Sequence, residues 1–364
     1  MRILAFLLTI LPVLLYAQEP FVFEHDGIQR DYFLHVPEDI GENAPLVFVL
    51  HGYTSSASII MGYSGLSAEA DEHKFVVCYP QGTLDLGGTT HWNSNLNISE
   101  TDDIGFLSEL AGFLQTEYNL NPKHTFSCGM SNGGFMSYTL ACEKPDVFKA
   151  IASVTGTMSG YDWNSCTNPT AVPVFQISGL ADPTVPVDGS ITTFGGWGGA
   201  PDYITVNNFW KDKNECTNTE TDLVAKTAIT YHTNGINENE VWLFAIDDME
   251  HTWPGFWSQA ETGIVAADEI WRFFSKVVNK DGTTSTEDLN NEEAIVISPN
   301  PVKDRVQIEY MNGQGFEYQI FSLTGKRITN GYSVSNRINL NVTDLAAGSY
   351  YVKVDGRAYK FMKI

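Results

Sequence analysis

The sequence predicts an α/β chain: a mostly parallel sheet with helices on both faces, followed by a small all-β sandwich. Three observations carry this. Strand-like and helix-like segments alternate from about Phe21 to Val278. Several strand segments are continuous apolar runs, as expected of strands buried on both faces. Beyond about residue 290 only short alternating segments occur, separated by Gly/Asn turns.

The elements follow in order. Met1-Arg2, the apolar run Ile3 to Leu15 and the small-residue end Tyr16-Ala17 read as an export leader over residues 1–17. That run is too short to span a bilayer, and no later stretch is long and apolar enough, so no membrane span is expected. "DYFLHVP" (from Asp31), "LVFVL" (from Leu46) and "KFVVCYP" (from Lys74) read as strands. "DIGFLSELAGFLQTEY" carries Ile104, Leu107, Leu110 and Leu114 at helical spacing. "HTFSCGMSNGGFMSYTLACEKP" reads strand, sharp turn, helix. "AIASVTG", "VPVFQISG" and "EVWLFAID" are further strands, and "VAADEIWRFFSKVV" is a closing amphipathic helix. The first domain is thus expected over 18–280 and a polar linker, "DGTTSTEDLN", over 281–290. In the second domain, 291–364, "RVQIEY", "EYQIFSL", "RINLNV" and "SYYVKVD" read as strands, with turns at Asn312-Gly313 and Asn330-Gly331.

Charge excludes some functions. Residues 18–290 hold 11 Lys+Arg against 37 Asp+Glu, a formal −26, whereas residues 291–364 hold 9 against 7. So acidic a body repels nucleic acid and anionic membranes. Neutral substrates or insoluble polymers fit better, although solubility alone also explains the charge. The five cysteines form no C-x-x-C, so no zinc cluster is expected, and Cys78 and Cys128 sit in strand-like runs as buried thiols.

Ser131 stands in "CGMSNGG", a G-x-S-x-G pattern between a strand and a helix. This is the context of a nucleophile elbow, in which the serine is held at the strand's end in a strained conformation. In that arrangement the acid and the base follow the serine along the chain. Only His232 and His251 do so among the histidines. His232 lies within an alternating strand and reads as an exposed strand-end residue. His251 follows "VWLFAI" on a loop, where a base belongs. For the acid, Asp182 directly follows the strand "VPVFQISG". Asp146, Asp162, Asp212 and Asp222 lack a preceding buried strand, and Asp247 and Asp248 share their strand with His251 and read as solvated turn residues. An oxyanion hole needs two backbone N–H groups. Asn132, next after the nucleophile, and Tyr53, in the loop after "VFVLHG", are the candidates; His51, which precedes the serine, reads as structural. Trp253, Tyr53, His91, Trp92 and Trp257 are candidate aromatic substrate contacts, each equally readable as core packing.

Together "LHGYTSSA", "YPQGT", "DDIGFL", "CGMSNGG", "ACEKPDVFKAIASVTGTM", "SGLADPTVPVDG" and "EHTWPG" resemble the secreted polyhydroxybutyrate depolymerase and feruloyl esterase family over about residues 30 to 275. The resemblance implies an α/β-hydrolase fold, a Ser131–Asp182–His251 triad and hydrolysis of carboxylic esters with neither metal nor cofactor. The family often pairs the cysteine of "FWxxxNxC" with a later one. Here Cys216 has no such partner near Asn234-Gly235, which implies that it is free and leaves Cys142 with Cys166 as the candidate disulfide. The tail, "SPNPVKDRVQI…LAAGSYYVKV…YKFMKI", resembles the C-terminal sorting domain of Bacteroidetes type IX secretion. It implies that the type IX machinery is a partner and that the chain is exported, often with loss of the tail; a polymer-binding β-module is the alternative. The expected product is a secreted monomer acting on polyesters or aromatic esters, of polyhydroxyalkanoate, feruloyl or terephthalate type. Short-chain or acetyl xylan esterase, serine peptidase and non-catalytic polymer-binding protein are the alternatives.

Overall fold

The computed structural model describes residues 19–167, 170–191, 196–255, 259–280, 295–298, 301–310, 315–322, 327–346, 348–354 and 357–363. The expected leader, the linker over 281–290 and Trp257 lie outside them. The chain divides into two compact units, Met1–Asp281 and Gly282–Ile364.

The first unit is built on a ten-stranded sheet. In chain order its elements are β1 (Phe21–His25), β2 (Ile28–His35), β3 (Leu46–Leu50), α1 (Ala57–Tyr63), α2 (Leu66–His73), β4 (Val76–Pro80), a short hairpin β5 (Thr83–Leu84) and β6 (Thr90–His91), α3 (Asp103–Glu117), β7 (Thr125–Met130), α4 (Asn132–Glu143), β8 (Ala150–Val154), α5 (Gly160–Ser165), β9 (Val174–Gly179), α6 (Tyr203–Lys213), β10 (Asn218–Val224), β11 (Thr227–Thr233), β12 (Val241–Ile246), α7 (Gln259–Thr262) and α8 (Ala266–Lys280). The sheet order is β1-β2-β4-β3-β7-β8-β9-β12-β11-β10. From β4 to β12 every pairing is parallel, while both margins are antiparallel.

The continuous apolar runs have a direct physical cause. In a strand, successive side chains point to opposite faces. Val47 and Val49 of β3 join a core with α1, α2 and α8, whereas Leu46, Phe48 and Leu50 join a second core with α3 and α4. Both faces are covered, so no position of β3 has a polar role and all five residues are fully buried. β4 divides in the same way, Val77 and Tyr79 to one core and Val76 and Cys78 to the other. A third cluster, with Tyr138, Ile151, Trp210 and Val241, lies under α5 and α6. Cys142 and Cys166 are bonded, tying the end of α4 to the end of α5, while Cys78, Cys128 and Cys216 are free and buried.

The second unit is all-β among the described residues, with β13 (Ile295–Ser298), β14 (Arg305–Tyr310) and β17 (Arg337–Asn341) in one sheet. The other sheet holds β15 (Phe316–Ser322), β16 (Arg327–Ser333), β18 (Gly348–Val354) and β19 (Arg357–Lys363). Val306 and Ile308 of the first sheet share one core with Phe316, Ile320, Val352 and Phe361 of the second, as a sandwich requires. One expected turn is corrected. Asn330-Gly331 does not reverse the chain but runs within β16, where Gly331 lies opposite Tyr318. A Cβ on Gly331 would stand 2.8 Å from Tyr318 Cζ, so this glycine makes room for a ring rather than for a turn. The turn at Asn312-Gly313 lies outside the described residues.

Candidate active site

The carboxyl ends of β7, β9 and β12 lie along one edge of the parallel sheet, and each presents one expected site residue. Ser131 separates β7 from α4 and holds φ 54° and ψ −120°. A non-glycine residue reaches that region only when its surroundings impose it. Here Ser131 N–H donates to Val154 O at 2.8 Å and Phe135 N–H donates to Ser131 O at 3.0 Å. The motif glycines permit the crowding. A Cβ on Gly129 would stand 2.6 Å from Gly133 O, and one on Gly133 would stand 2.6 Å from the Leu50 carbonyl carbon. Strand, elbow and first turn of α4 are therefore closer than any side chain allows.

Asp182 and His251 meet. His251 Nδ1 lies 2.7 Å from Asp182 Oδ2. The other oxygen, Oδ1, accepts N–H bonds from Thr184 at 2.8 Å and Val185 at 2.9 Å. Asp182 is thus fixed by its own turn and aimed at the imidazole, with its side chain 1% exposed. A carboxylate only accepts, so Nδ1 carries the proton and Nε2 keeps its lone pair. The loop bearing His251 reaches the serine's surroundings through Tyr63. That ring packs edge-on against Trp253 at 6.0 Å, and its hydroxyl contacts Met130 Sδ at 3.2 Å, one residue before Ser131. Ser131 Oγ makes no hydrogen bond among the described residues.

The loop after β3 runs beside the elbow: a Cβ on Gly52 would stand 3.5 Å from Ser131 Cβ. Asn132 N–H opens α4 and so has no intrahelical acceptor. Tyr53 N–H likewise has no acceptor among the described residues. The Asn132 amide is committed elsewhere, its Oδ1 accepting from Trp92 N–H at 2.6 Å and its Nδ2 donating to Trp92 O at 3.0 Å. Trp92 in turn donates from Nε1 to His51 O at 3.0 Å. His51 is structural, as expected. Its Nδ1 donates to Gly52 O at 2.8 Å and its Nε2 accepts from Gly82 N–H at 3.0 Å. Burial pushes its pKa down to about 4, so it stays neutral.

Among the aromatic candidates the structure divides sharply. His91 and Trp92 have no exposed surface, so neither offers a face to a substrate. They support the donor loop instead. Trp253 and Tyr53 are half-buried at the site. The residue that sequence reading missed is Trp197. Its ring stands edge-on between Tyr53 at 5.4 Å and Phe135 at 5.8 Å, joining the donor loop to the first turn of α4. His232 also differs from expectation: it is buried, bonded to Asn207 Oδ1 at 3.0 Å and Thr219 Oγ1 at 2.9 Å. It belongs to the packing of β11 and is apart from the Asp182–His251 pair. Asp247 and Asp248 are exposed, in keeping with solvated turn residues.

A mostly parallel sheet with a strained serine after a central strand and a carboxylate–imidazole pair after two later ones is the α/β-hydrolase arrangement. Residues 28–243 match the family described as "Putative esterase", and the chain belongs to that family. Residues 296–364 match the secretion system C-terminal sorting domain. Among curated relatives, the poly(3-hydroxyalkanoate) depolymerase C of Paucimonas lemoignei is 34% identical over 131 residues, covering 34% of this chain and 30% of its own. The probable feruloyl esterase C of Aspergillus niger is 30% identical over 171 residues, covering 44% of this chain and 58% of its own. The chain thus spans less than two thirds of either relative. Among solved structures, the acetyl xylan esterase from Aspergillus awamori superposes with a TM-score of 0.51 at 14% identity, over 68% of this chain and 94% of that one, a likeness of fold.

Proposed function

We propose that this chain is a secreted serine hydrolase of carboxylic esters that acts on polyesters or aromatic esters through Ser131, His251 and Asp182. The observation that carries this reading is the 2.7 Å Asp182–His251 contact at the same sheet edge as Ser131 in its strained turn. Ser131 Oγ attacks the ester carbonyl while His251 Nε2 takes its proton. Asp182 holds the ring in the tautomer that leaves Nε2 basic and stabilises the imidazolium that forms. The tetrahedral oxyanion rests on the N–H groups of Tyr53 and Asn132, one such donor being worth about 3 kcal/mol. His251 then protonates the leaving alcohol, and water repeats the cycle on the acyl-enzyme. No step calls for a metal or cofactor.

Tyr53, Trp197 and Trp253 are flat walls suited to planar acyl groups, such as feruloyl or terephthaloyl, or to a polyester chain such as polyhydroxyalkanoate or poly(ethylene terephthalate) laid over the site. The C-terminal unit would serve as the address read by the type IX machinery, leaving the first unit to act outside the cell as a monomer. A panel of p-nitrophenyl butyrate, methyl ferulate, acetylated xylan, polyhydroxybutyrate film, an aromatic polyester film and a peptide p-nitroanilide tests the reading. Soluble acid is expected from methyl ferulate and at least one film, with the anilide untouched. Turnover confined to the anilide, or to acetylated xylan, would refute the substrate class.

A further inference from the structure

Outside this site, one cluster of side chains has the makings of a metal centre. β1 ends at His25, Asp26 forms the tight turn into β2 with φ 50°, and Asp102 caps α3. One ligand atom from each of the three lies within 4.8 Å of the other two. His25 is 6% exposed, and its Nδ1 lies 2.8 Å from Glu109 Oε2. A carboxylate only accepts, so the proton sits on Nδ1 and the Nε2 lone pair is directed away from Glu109. Nε2 is buried and within hydrogen-bond distance of no acceptor. Its neighbours are Asp102 Oδ2 at 3.6 Å and Asp26 Oδ2 at 3.7 Å.

Those distances distinguish two chemistries. A second ring N–H, on Nε2, would close on one carboxylate to about 2.7–2.9 Å, as Nδ1 does on Glu109. Instead Nε2 stands almost equally far from two carboxylate oxygens and touches neither. Ligands each about 2.0–2.2 Å from one cation at near-tetrahedral angles are about 3.3–3.6 Å apart, which these two separations match to within about 0.1 Å. Asp102 is divided suitably: Oδ1 accepts from Gly105 N–H at 2.8 Å as the helix cap, and Oδ2 is left over. Gly105 keeps the space clear, since a Cβ there would stand 2.9 Å from His25 Cε1.

We propose that Nε2 of His25 and the Oδ2 atoms of Asp26 and Asp102 bind one divalent transition-metal cation, Zn²⁺ before Ca²⁺, with water completing the coordination. The imidazole selects against Ca²⁺, and the two carboxylates supply the charge. Glu109 is the outer carboxylate that orients the ring, as in other carboxylate–histidine–metal arrangements. The cation would staple the β1–β2 turn to the start of α3. Next to Asp102, Asp103 accepts from Arg30 Nη2 at 2.6 Å and from Asn93 N–H at 2.7 Å, beside Trp92. The staple therefore steadies the support of the donor loop from behind and takes no part in the chemistry.

The test uses the full chain after dialysis against a chelator, titrated with Zn²⁺ and with Ca²⁺ by calorimetry and followed by thermal melting. One Zn²⁺ per chain and a Tm raised by several degrees are expected, with Ca²⁺ giving neither. Asp102→Asn keeps the helix cap and His25→Gln keeps a polar ring-sized group; each should weaken Zn²⁺ at least tenfold, and Glu109→Gln about 10- to 100-fold. Circular dichroism identifies any variant that fails to fold, and Asp26→Asn on the exposed turn then replaces it. No stoichiometric Zn²⁺ in the wild-type chain, or the same Zn²⁺ affinity in folded variants, overturns the site.

Discussion

Replacing Asp182 by Asn isolates the contribution of the acid. Asp182 Oδ1 is held by the Thr184 and Val185 N–H groups, so the asparagine keeps its oxygen there and presents its NH₂ where Oδ2 was. At 2.7 Å from His251 Nδ1, that NH₂ can only donate, which forces the ring to accept at Nδ1 and to carry its proton on Nε2. Nε2 then has no lone pair for the Ser131 proton. The wrong tautomer lowers kcat about 10⁴-fold in triads of this kind, about 5.4 kcal/mol at 1.36 kcal/mol per decade. The turn bonds survive, so Tm should move by no more than a few degrees. The assay is kcat for p-nitrophenyl butyrate alongside a thermal melt. A folded Asp182→Asn protein within tenfold of wild-type kcat would refute the assignment of Asp182 as orienting acid.

Three other perturbations follow from the structure. Cys142→Ala with Cys166→Ala opens a loop with a sequence separation of 24, for which chain entropy gives about 3.5 kcal/mol, so chemical denaturation should find the unfolding free energy lowered by that much and the midpoint shifted down accordingly. An unchanged midpoint would mean that the crosslink constrains nothing. His51 is held neutral, with its pKa lowered to about 4 from the usual 6.5. Its contribution is therefore complete above about pH 6.5 and is lost as pH falls toward 4, up to about 3 kcal/mol. NMR of the labelled imidazoles should find His51 uncharged at pH 5.5, and a charged ring there would contradict the burial argument. Trp197→Ala removes the wall between Tyr53 and Phe135, so KM for methyl ferulate should rise about tenfold with little change for p-nitrophenyl acetate. An equal loss on both esters would assign Trp197 to packing alone.

Much of this architecture can be read in the sequence because its causes are local. Two-sided burial writes itself as runs such as Leu46–Leu50, and the crowding around Ser131 writes itself as Gly129 and Gly133. Chain order then restricts the acid and base to residues after strands. Long-range anchoring leaves no such trace. Trp197 lies in "FGGWGGA", a sequence without period, and its place depends on Asn97 N–H donating to Gly196 O and Gly160 N–H donating to Gly199 O. Trp92 reads as a site aromatic until the Asn132 amide is seen to pin its backbone. His232 reads as exposed because nothing nearby in sequence announces Asn207 from α6. Asn330-Gly331 has the composition of a turn, yet the ring of Tyr318 across the strand pair decides its conformation.

Every proposed step begins from Ser131 as an activated nucleophile. Incubating the purified chain with a fluorophosphonate and measuring intact mass tests it most directly. One adduct per chain is expected, mapped to the peptide containing Ser131 and absent from Ser131→Ala, together with loss of ester hydrolysis in that variant. No adduct on the folded wild-type chain, or an undiminished adduct on Ser131→Ala, would show that Ser131 is not the nucleophile.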